Sequence, residues 1–146
     1  FNFCFTEMQA AVGLSQLDKL SSIIKQRNVI RDFYSINLMD LESFMKPIEY
    51  NSDVSPVYWF TSFLLENPDD RLQLNKFLQD NGVQTREFFY PLDLQPCYSG
   101  RYEQRCDLNT SHDLYRRGIS LPSSHNLKKS DLERVTQLIH SYFEVG

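Results

Sequence analysis

The sequence predicts an α/β fold, an α+β sandwich in which helices cover one small sheet. Three observations predict it: amphipathic helical patterns occupy both ends of the chain, segments rich in β-branched and aromatic residues lie between them, and turn residues separate the two kinds of segment. The expected order is two helices, a strand, a helix, a strand, a loop, a helix, a strand and a helix. The 146 residues are enough for one domain with its own core. Within it we expect a helical region over about 1–46 and a sheet region over about 47–146.

The N-terminal region carries the first helical pattern. Residues 6–9 have the form of a capping box, so a helix is expected to begin at Glu7. Its apolar positions keep a helical period: Met8, Ala11, Val12, Leu14, Leu17 and Leu20. Gly13 costs such a helix about 1 kcal/mol relative to alanine, so a close backbone approach is expected there. The pattern fits one long helix as well as two helices that meet near Asp18, and Pro47 is expected to end the helical region.

The middle of the chain has strand character. Residues 57–65 are rich in β-branched and aromatic side chains and predict a strand, and their near-continuous apolarity predicts burial on both faces of the sheet. Asp69 or Asp70 is expected to cap a short helix, which ends at Asn81 and Gly82.

The remaining elements follow in the second half of the chain. A second strand is expected over residues 83–89, followed by a proline-containing loop over 91–98. A short helix over about 110–117 and a third strand over 119–121 come next. Residues 130–133 form another capping-box pattern, which is expected to open the C-terminal amphipathic helix.

Composition and charge exclude several classes of function. The net charge is −4 and no basic cluster occurs, so a nucleic acid is not an expected partner. No apolar run approaches the roughly 20 residues of a membrane span, so no membrane association is expected. Cys4, Cys97 and Cys106 are odd in number and lack CxxC spacing, which argues against a disulfide framework and indicates a cytoplasmic protein. The three histidines lack metal-ligand spacing, so no metal is expected.

Two segments carry the candidate chemistry. Asn2 and Thr6 lie just before a predicted helix N-terminus, which with a nearby amide favours an anion such as phosphate, although N-capping alone also explains Thr6. The second segment places an arginine, aromatic rings and a carboxylate along a strand that enters a loop. Arg86 either pairs with Glu87 or Asp93, or holds a carboxylate or phosphate of a substrate.

The cysteines offer no obvious nucleophile. Cys4 lies between two phenylalanines and is expected to be a small buried hydrophobic residue. Cys97 is expected to be a packed loop residue, because no histidine or lysine beside it in the sequence would activate its thiol.

Four segments together carry a family resemblance. Residues 1–17, FNFCFTEMQAAVGLSQL, resemble the signature G-F/Y-N-F/Y-R-M-S/T-E-x-Q-A-A-x-G-L-x-Q-L of the DegT/DnrJ/EryC1/StrS family of sugar aminotransferases. Residues 82–98 resemble its stretch G-I/V-x-T-R-x-F-F-x-P-L-H-x-x-P-x-Y. Residues 57–61 are similar to its small-domain strand, and residues 121–124 with the final helix are similar to its C-terminal pattern. The resemblance covers essentially the whole chain.

This resemblance implies a fold and an activity. The chain would be the small C-terminal domain of an aspartate-aminotransferase-like enzyme of fold type I, which carries pyridoxal 5'-phosphate (PLP) on a lysine of a large domain. That lysine is expected upstream of Phe1, so no catalytic residue is assigned within this chain, which we expect to be a fragment. Such enzymes are homodimers that move an amino group from glutamate to a keto sugar nucleotide, for cell-surface polysaccharide or antibiotic sugars.

The resemblance also implies site residues. Asn2 would contact the PLP phosphate of the neighbouring subunit. The residues that would border the substrate are Cys4, Arg86, Tyr90, Asp93 and Tyr98. Cys4 stands where the family usually has arginine and Asp93 where it usually has histidine, so the substrate or the activity is expected to differ from the commonest members. Residues 95–98 are similar to members of the perosamine-synthetase type, which make 4-amino sugars.

Two alternatives remain open at the level of the sequence. One is a PLP-dependent sugar dehydratase of the same fold, in which a histidine replaces the upstream lysine. The other is a non-catalytic half-protein that pairs with a separate large-domain chain. Both depend on residues before Phe1.

Overall fold

A computed structural model describes residues 4–98 and 107–145. Within these ranges the helices are α1 (Glu7–Leu17), α2 (Leu20–Asn37), α3 (Pro68–Asp80), α4 (Asn109–Arg117) and α5 (Lys129–Val145). The strands are β1 (Met45–Pro47), β2 (Thr61–Leu65), β3 (Arg86–Glu87) and β4 (Gly118–Leu121). Single 3-10 turns lie at Met39–Leu41 and Leu92–Leu94.

The four strands form one antiparallel sheet in the order β1-β2-β4-β3. At its centre, Phe63 of β2 lies opposite Ile119 of β4. At one edge, Arg86 of β3 lies opposite Ser120 of β4. Strand β1, which the sequence did not predict, pairs with β2 along the other edge. The predicted arrangement of helices around a small sheet is confirmed.

The N-terminal helices begin and end largely as the sequence predicts. The Thr6 hydroxyl accepts a hydrogen bond from the Gln9 backbone N–H at 3.3 Å, and the Gln9 side chain accepts one from the Thr6 N–H at 2.9 Å, so the capping box is present. Helix α1 ends at Leu17 and α2 begins at Leu20. The alternative with two helices that meet near Asp18 is therefore correct.

Three predicted helix boundaries were wrong. Pro47 does not end a helical region but is the last residue of β1. The cap of α3 is Asn67, whose side chain accepts a hydrogen bond from the Asp69 N–H at 3.1 Å. The helix begins with Pro68 as its first residue, so the residue before this proline is the N-cap. Before α5, the Lys128 N–H donates to the Asp131 carboxylate at 2.9 Å, so the cap lies two residues earlier than the predicted box.

Both predicted long strands are shorter than expected. Strand β2 begins at Thr61, because Arg27 binds the two carbonyls just before Phe60 that a longer strand would need for pairing. Of the residues 83–89, only two form β3. The N–H of Val83 instead donates to the Leu78 carbonyl at 2.8 Å, which satisfies the end of α3.

The core lies between the sheet and helices α2, α3 and α5. Its fully buried side chains from these elements include Ile30, Tyr34, Phe63, Leu74, Leu78, Ile119 and Ile139. Tyr34 is completely buried and donates a hydrogen bond to the Pro122 carbonyl at 3.0 Å, which ties α2 to the loop after β4. Burial raises the pKa of the Tyr34 phenol well above its ordinary value, so this hydroxyl remains a donor.

The burial predicted for both faces of β2 was wrong. Thr61, Phe63 and Leu65 are buried, whereas Ser62 and Leu64 between them are only half-buried. Successive residues of a strand point to opposite faces, so one face of the sheet meets the core and the other is partly open. A hydrogen bond of 2.9 Å joins the hydroxyls of Ser62 and Ser120 on this open face. Arg86 lies beside Ser120 on the same face, and this open face carries the candidate site.

Helix α1 contributes nothing to the core. None of its residues is buried, and it exposes the large apolar side chains Met8, Val12, Leu14 and Leu17. A side chain added at Gly13 would meet no described atom within 4 Å, so the close approach expected at Gly13 is not found within this chain. No described helix is both long and apolar enough to cross a membrane.

An imidazole of α5 joins the turn that follows α2. His140 Nε2 lies 3.0 Å from the Asp40 carboxylate, and its Nδ1 lies 2.8 Å from the Thr136 carbonyl. Both ring nitrogens face acceptors, which favours the doubly protonated ring. Burial lowers the pKa of His140, but these hydrogen bonds and the nearby carboxylates outweigh it and raise the pKa above 6.5. The same hydrogen bond lowers the pKa of Asp40.

The pair gives a pH-dependent contribution to stability. A raised histidine pKa stabilises the fold fully below 6.5 and loses this effect as the pH rises through the raised value. A lowered aspartate pKa stabilises it above 3.8 and loses the effect as the pH falls through the lowered value. We therefore expect the difference in unfolding free energy between the protein and its His140→Gln variant to be largest between these limits. Urea unfolding at several pH values measures it, and a difference that is constant from pH 5 to 9 would contradict the assignment.

Candidate functional site

The edge strand β3 separates two charges that are neighbours in the sequence. Glu87 points towards the helices, where its carboxylate lies 2.8 Å from Arg71 Nη1. Arg86 points to the open face, because consecutive strand residues alternate. The pairing of Arg86 with Glu87, one of the two alternatives weighed from the sequence, is therefore wrong. Its pairing with Asp93 is also wrong, because Asp93 binds His112.

Arg71 is the buried residue that makes this separation possible. Its side chain is only 8% exposed. Its Nε donates to the Arg116 carbonyl at 2.8 Å, and its guanidinium lies 5.6 Å from the centre of the Tyr115 ring. A cation taken out of water needs a counter-charge, and Glu87 supplies it. Because Glu87 binds Arg71, Arg86 has no counter-charge among residues 4–98 and 107–145.

Arg86 lies beside a groove on the open face. Its guanidinium is 5.3 Å from the centre of the Phe60 ring, within the range of a cation–π contact. Among the described residues Arg86 makes no ion pair. The groove has a volume of about 300 Å³ and is lined by Phe60, Gln84, Thr85, Arg86 and residues 120–123. An exposed cation over an apolar ring, with hydroxyl groups near it, suits an anionic ligand.

Trp59 extends this surface and was not among the residues singled out from the sequence. Its ring stacks on Phe60, with centroids 4.9 Å apart and planes inclined by 25°. The residue is 62% exposed, although it was expected inside a buried strand. The signal that could have found it is that Trp59 is the only tryptophan of the chain and lies at the entry to the strand.

The loop after β3 is held against α4 by two side-chain contacts. The Tyr90 ring packs edge-to-face on Tyr115, with centroids 5.2 Å apart. One turn further along, Asp93 Oδ2 lies 2.8 Å from His112 Nε2, and both side chains are 30% exposed. His112 was not among the residues singled out from the sequence. Its spacing of three residues from Tyr115 on the same helical face is the signal that was missed.

The other residues considered from the sequence lie at or near the ends of the described ranges. Tyr98 ends the described part of the loop and is half-exposed. Cys4 precedes α1 and is exposed, so the expectation that it is buried was wrong. Cys97 is likewise exposed and does not pack as expected; its thiol lies 3.9 Å from the Gln95 side chain. Asn2 lies outside the described residues. Within residues 4–98 and 107–145, no three metal-binding side chains come together.

The Asp93–His112 pair is expected to restrain the loop over residues 91–98. We predict that His112→Ala accelerates amide hydrogen exchange of this segment about fivefold, because one hydrogen bond to a charged group is lost. His140→Ala is the matched control, since it removes the same kind of pair at a site far along the chain. Mass spectrometry of the exchanged peptides measures the effect. Equal exchange of the loop in both variants would show that the pair does not restrain it.

A family model and a curated relative both match this chain over nearly its whole length. A sequence model of the DegT/DnrJ/EryC1/StrS aminotransferase family matches residues 1–140. The GDP-perosamine synthase of Escherichia coli O157:H7 is 31% identical over 143 residues, which are 98% of this chain and 38% of that protein. The chain thus spans well under half the length of the curated relative.

Two solved structures show the same fold. Helicobacter pylori PseC, an aminotransferase of pseudoaminic acid biosynthesis, matches with a TM-score of 0.88 and 21% identity, over 100% of this chain and 39% of its own. DesV of S. venezuelae, in complex with a ketimine intermediate, matches with a TM-score of 0.83 and 26% identity, over 93% and 36%. The fold class predicted from the sequence is confirmed.

Proposed function

The chain belongs to the DegT/DnrJ/EryC1/StrS aminotransferase family, and from this we propose that it is the C-terminal part of a PLP-dependent aminotransferase. The reaction would move an amino group from glutamate to a keto sugar nucleotide. The observation that carries the proposal is the family match over residues 1–140, which includes every segment of the site. The exposed cation of Arg86, which contacts the Phe60 ring on the open face and makes no ion pair with any described residue, supports it, because both substrates are anions.

The cofactor site would be shared with residues outside the described ranges. Helix α1 is eleven residues long, and its N-terminus is capped and exposed. Such a terminus fits the phosphate of PLP. Asn2, four residues before Thr6, would contact the same phosphate, in the neighbouring subunit. When bound, PLP supplies the electron sink for amino transfer. The lysine that holds it would lie in a large domain upstream of Phe1.

The substrate side would be formed by the open face and the loop after β3. Arg86 would bind an anionic group, and Tyr90 and Tyr98 would border the sugar. Asp93 would act together with His112, which brings an imidazole to within 2.8 Å of the carboxylate. Cys4 would take the place of a charged residue, so its contact with substrate would be uncharged.

Two further features of the proposal concern assembly and product. The exposed apolar side chains of α1 support a homodimer with its active sites at the interface, because a surface of this kind favours association. The similarity to GDP-perosamine synthase supports a 4-amino sugar as the product, for cell-surface polysaccharide or antibiotic sugars. The enzyme would be cytoplasmic.

The test uses the full-length protein that contains these residues, loaded with PLP. Glutamate alone is expected to convert the cofactor to its amino form, and a GDP-linked 4-keto sugar is expected to return it with formation of an amino sugar. Loss of a sugar hydroxyl without gain of nitrogen would favour the dehydratase instead. No reaction with either substrate would contradict the proposal.

A second measurement tests where the lysine lies. The 146 residues alone are expected not to bind PLP covalently. Visible absorbance of a lysine-linked cofactor in this stretch alone would overturn the upstream position of the lysine.

A further inference from the structure

Trp59 is an exposed ring that is held in place. Large aromatic residues are usually well buried, yet this one is 62% exposed. Arg27 of α2 donates hydrogen bonds to the carbonyls of Tyr58 and Trp59, which fixes the backbone that carries the ring. Phe60 covers part of the indole at a centroid distance of 4.9 Å. The result is a fixed, flat and accessible aromatic surface.

Arg86, which has no ion-pair partner in the described part of the chain, lies next to this surface. The Phe60 ring that stacks on Trp59 also contacts the Arg86 guanidinium at 5.3 Å. The nearest candidate anions in the sequence are engaged elsewhere, since Glu87 binds Arg71 and Asp93 binds His112. The Trp59 ring and the Arg86 guanidinium thus both contact the ring of Phe60.

This combination fits the two parts of a nucleotide. A nucleobase stacks on an aromatic side chain, and a guanidinium binds phosphate. Glutamate has no ring and would use only the cation. A nucleic acid strand would need further cations, whereas the groove beside Arg86 is lined otherwise by uncharged residues. The hydroxyl and amide groups of this lining suit the ribose and sugar of a nucleoside diphosphate.

We propose that Trp59, Phe60 and Arg86 form the site for the nucleoside diphosphate part of the substrate, with the base on Trp59 and the phosphates at Arg86. The inference rests on the proposed function, because it assigns one part of that substrate. It adds a residue, Trp59, that the family resemblance did not assign, and of the two anionic groups left open for Arg86, a carboxylate or a phosphate, it assigns the phosphate.

The chain contains a matched control for Arg86. The Arg31 guanidinium lies 5.2 Å from the centre of the Tyr58 ring, almost the same geometry as Arg86 over Phe60. Arg31, however, pairs with Asp32 at 2.9 Å, so its charge is already neutralised. Replacing Arg31 therefore removes a cation–π contact, but it does not remove a charge that is available to bind a phosphate.

The experiment measures binding of GDP and of pyrophosphate to the full-length holoenzyme by calorimetry. Trp59→Ala is expected to weaken GDP about thirtyfold and to leave pyrophosphate unchanged. Arg86→Gln is expected to weaken both ligands about tenfold. Trp59→Phe is expected to retain most of the GDP affinity, and Arg31→Gln to stay within about twofold of the unaltered protein. Melting temperatures confirm that each variant is folded.

Other outcomes overturn the inference in identifiable ways. Equal GDP affinity in Trp59→Ala and in the unaltered protein would show that the ring is covered by another part of the protein. An Arg86→Gln variant that loses affinity for glutamate, and not for GDP, would assign the cation to the amino donor. Failure of the unaltered protein to react with glutamate would sink the proposed function, while GDP binding would still test the site separately.

Discussion

Replacing Glu87 with alanine is expected to lower the free energy of unfolding by about 3 kcal/mol, although the Glu87 side chain is 44% exposed. The reason lies with its partner, because Arg71 is 8% exposed and would be left as a buried cation without a counter-charge. Nη1 of Arg71 makes no directed hydrogen bond to any residue that the structure describes, so the nearby carboxylate is its main compensation. Urea unfolding measures the change.

Replacing Arg71 should lower the free energy of unfolding less than replacing Glu87. Arg71→Met fills similar space without a charge and is expected to cost about 1 kcal/mol. The double variant with Glu87→Ala should cost no more than Arg71→Met alone, since the stranded charge is absent. Glu66→Ala is the matched control: Glu66 forms an exposed pair with Lys46 at 2.8 Å, and its loss should change stability little. Additive costs for Arg71 and Glu87 would refute the argument.

Gly118→Ala is expected to lower the free energy of unfolding by about 2 kcal/mol, because a methyl group has no room there. A side chain at Gly118 would lie 2.5 Å from Phe88 Cδ1 and 2.6 Å from the Leu114 carbonyl oxygen. The backbone is ordinary extended chain, with φ −78° and ψ 130°, so space and not conformation requires the glycine. Thermal or urea unfolding measures the loss.

Gly13 provides the contrast for this substitution. It lies inside α1, where an added methyl group would meet no described atom within 4 Å. Gly13→Ala is therefore expected to raise stability by about 1 kcal/mol through helix propensity.

A second substitution tests the cause of the loss at Gly118. If Phe88→Leu in the Gly118→Ala background restores part of the lost stability, the clash with the Phe88 ring is the cause. Unchanged stability of Gly118→Ala would mean that the ring moves aside freely.

The helices were predictable because their signals are local. The capping box at Thr6 and the turn at Gly82, whose φ is +74°, lie within a few residues of the ends they set. The strands were less predictable because pairing is decided by distant residues. Strand β1 ends in Pro47, which resembles a break, and only its partner β2 reveals it.

The candidate site also combines residues that local sequence identifies with partners that only the fold reveals. Arg86 and Asp93 were identified from one segment of the sequence, because both are charged residues in or next to a predicted strand. The partner of each was not, because Arg71 and His112 come from other helices. Without the buried cation of Arg71, the adjacent charges of Arg86 and Glu87 look like an ion pair. Trp59 was missed because apolar continuity masks where a strand begins.

The two edges of the sheet have a consequence for how copies of the chain can meet. A free strand edge invites pairing with another molecule, and proteins guard against this with short, charged or proline-containing edges. Here β1 has three residues and carries Lys46 and Pro47, while β3 has two residues, both charged. Neither edge offers a useful template for intermolecular strands. Growth into sheet-based aggregates is thus disfavoured.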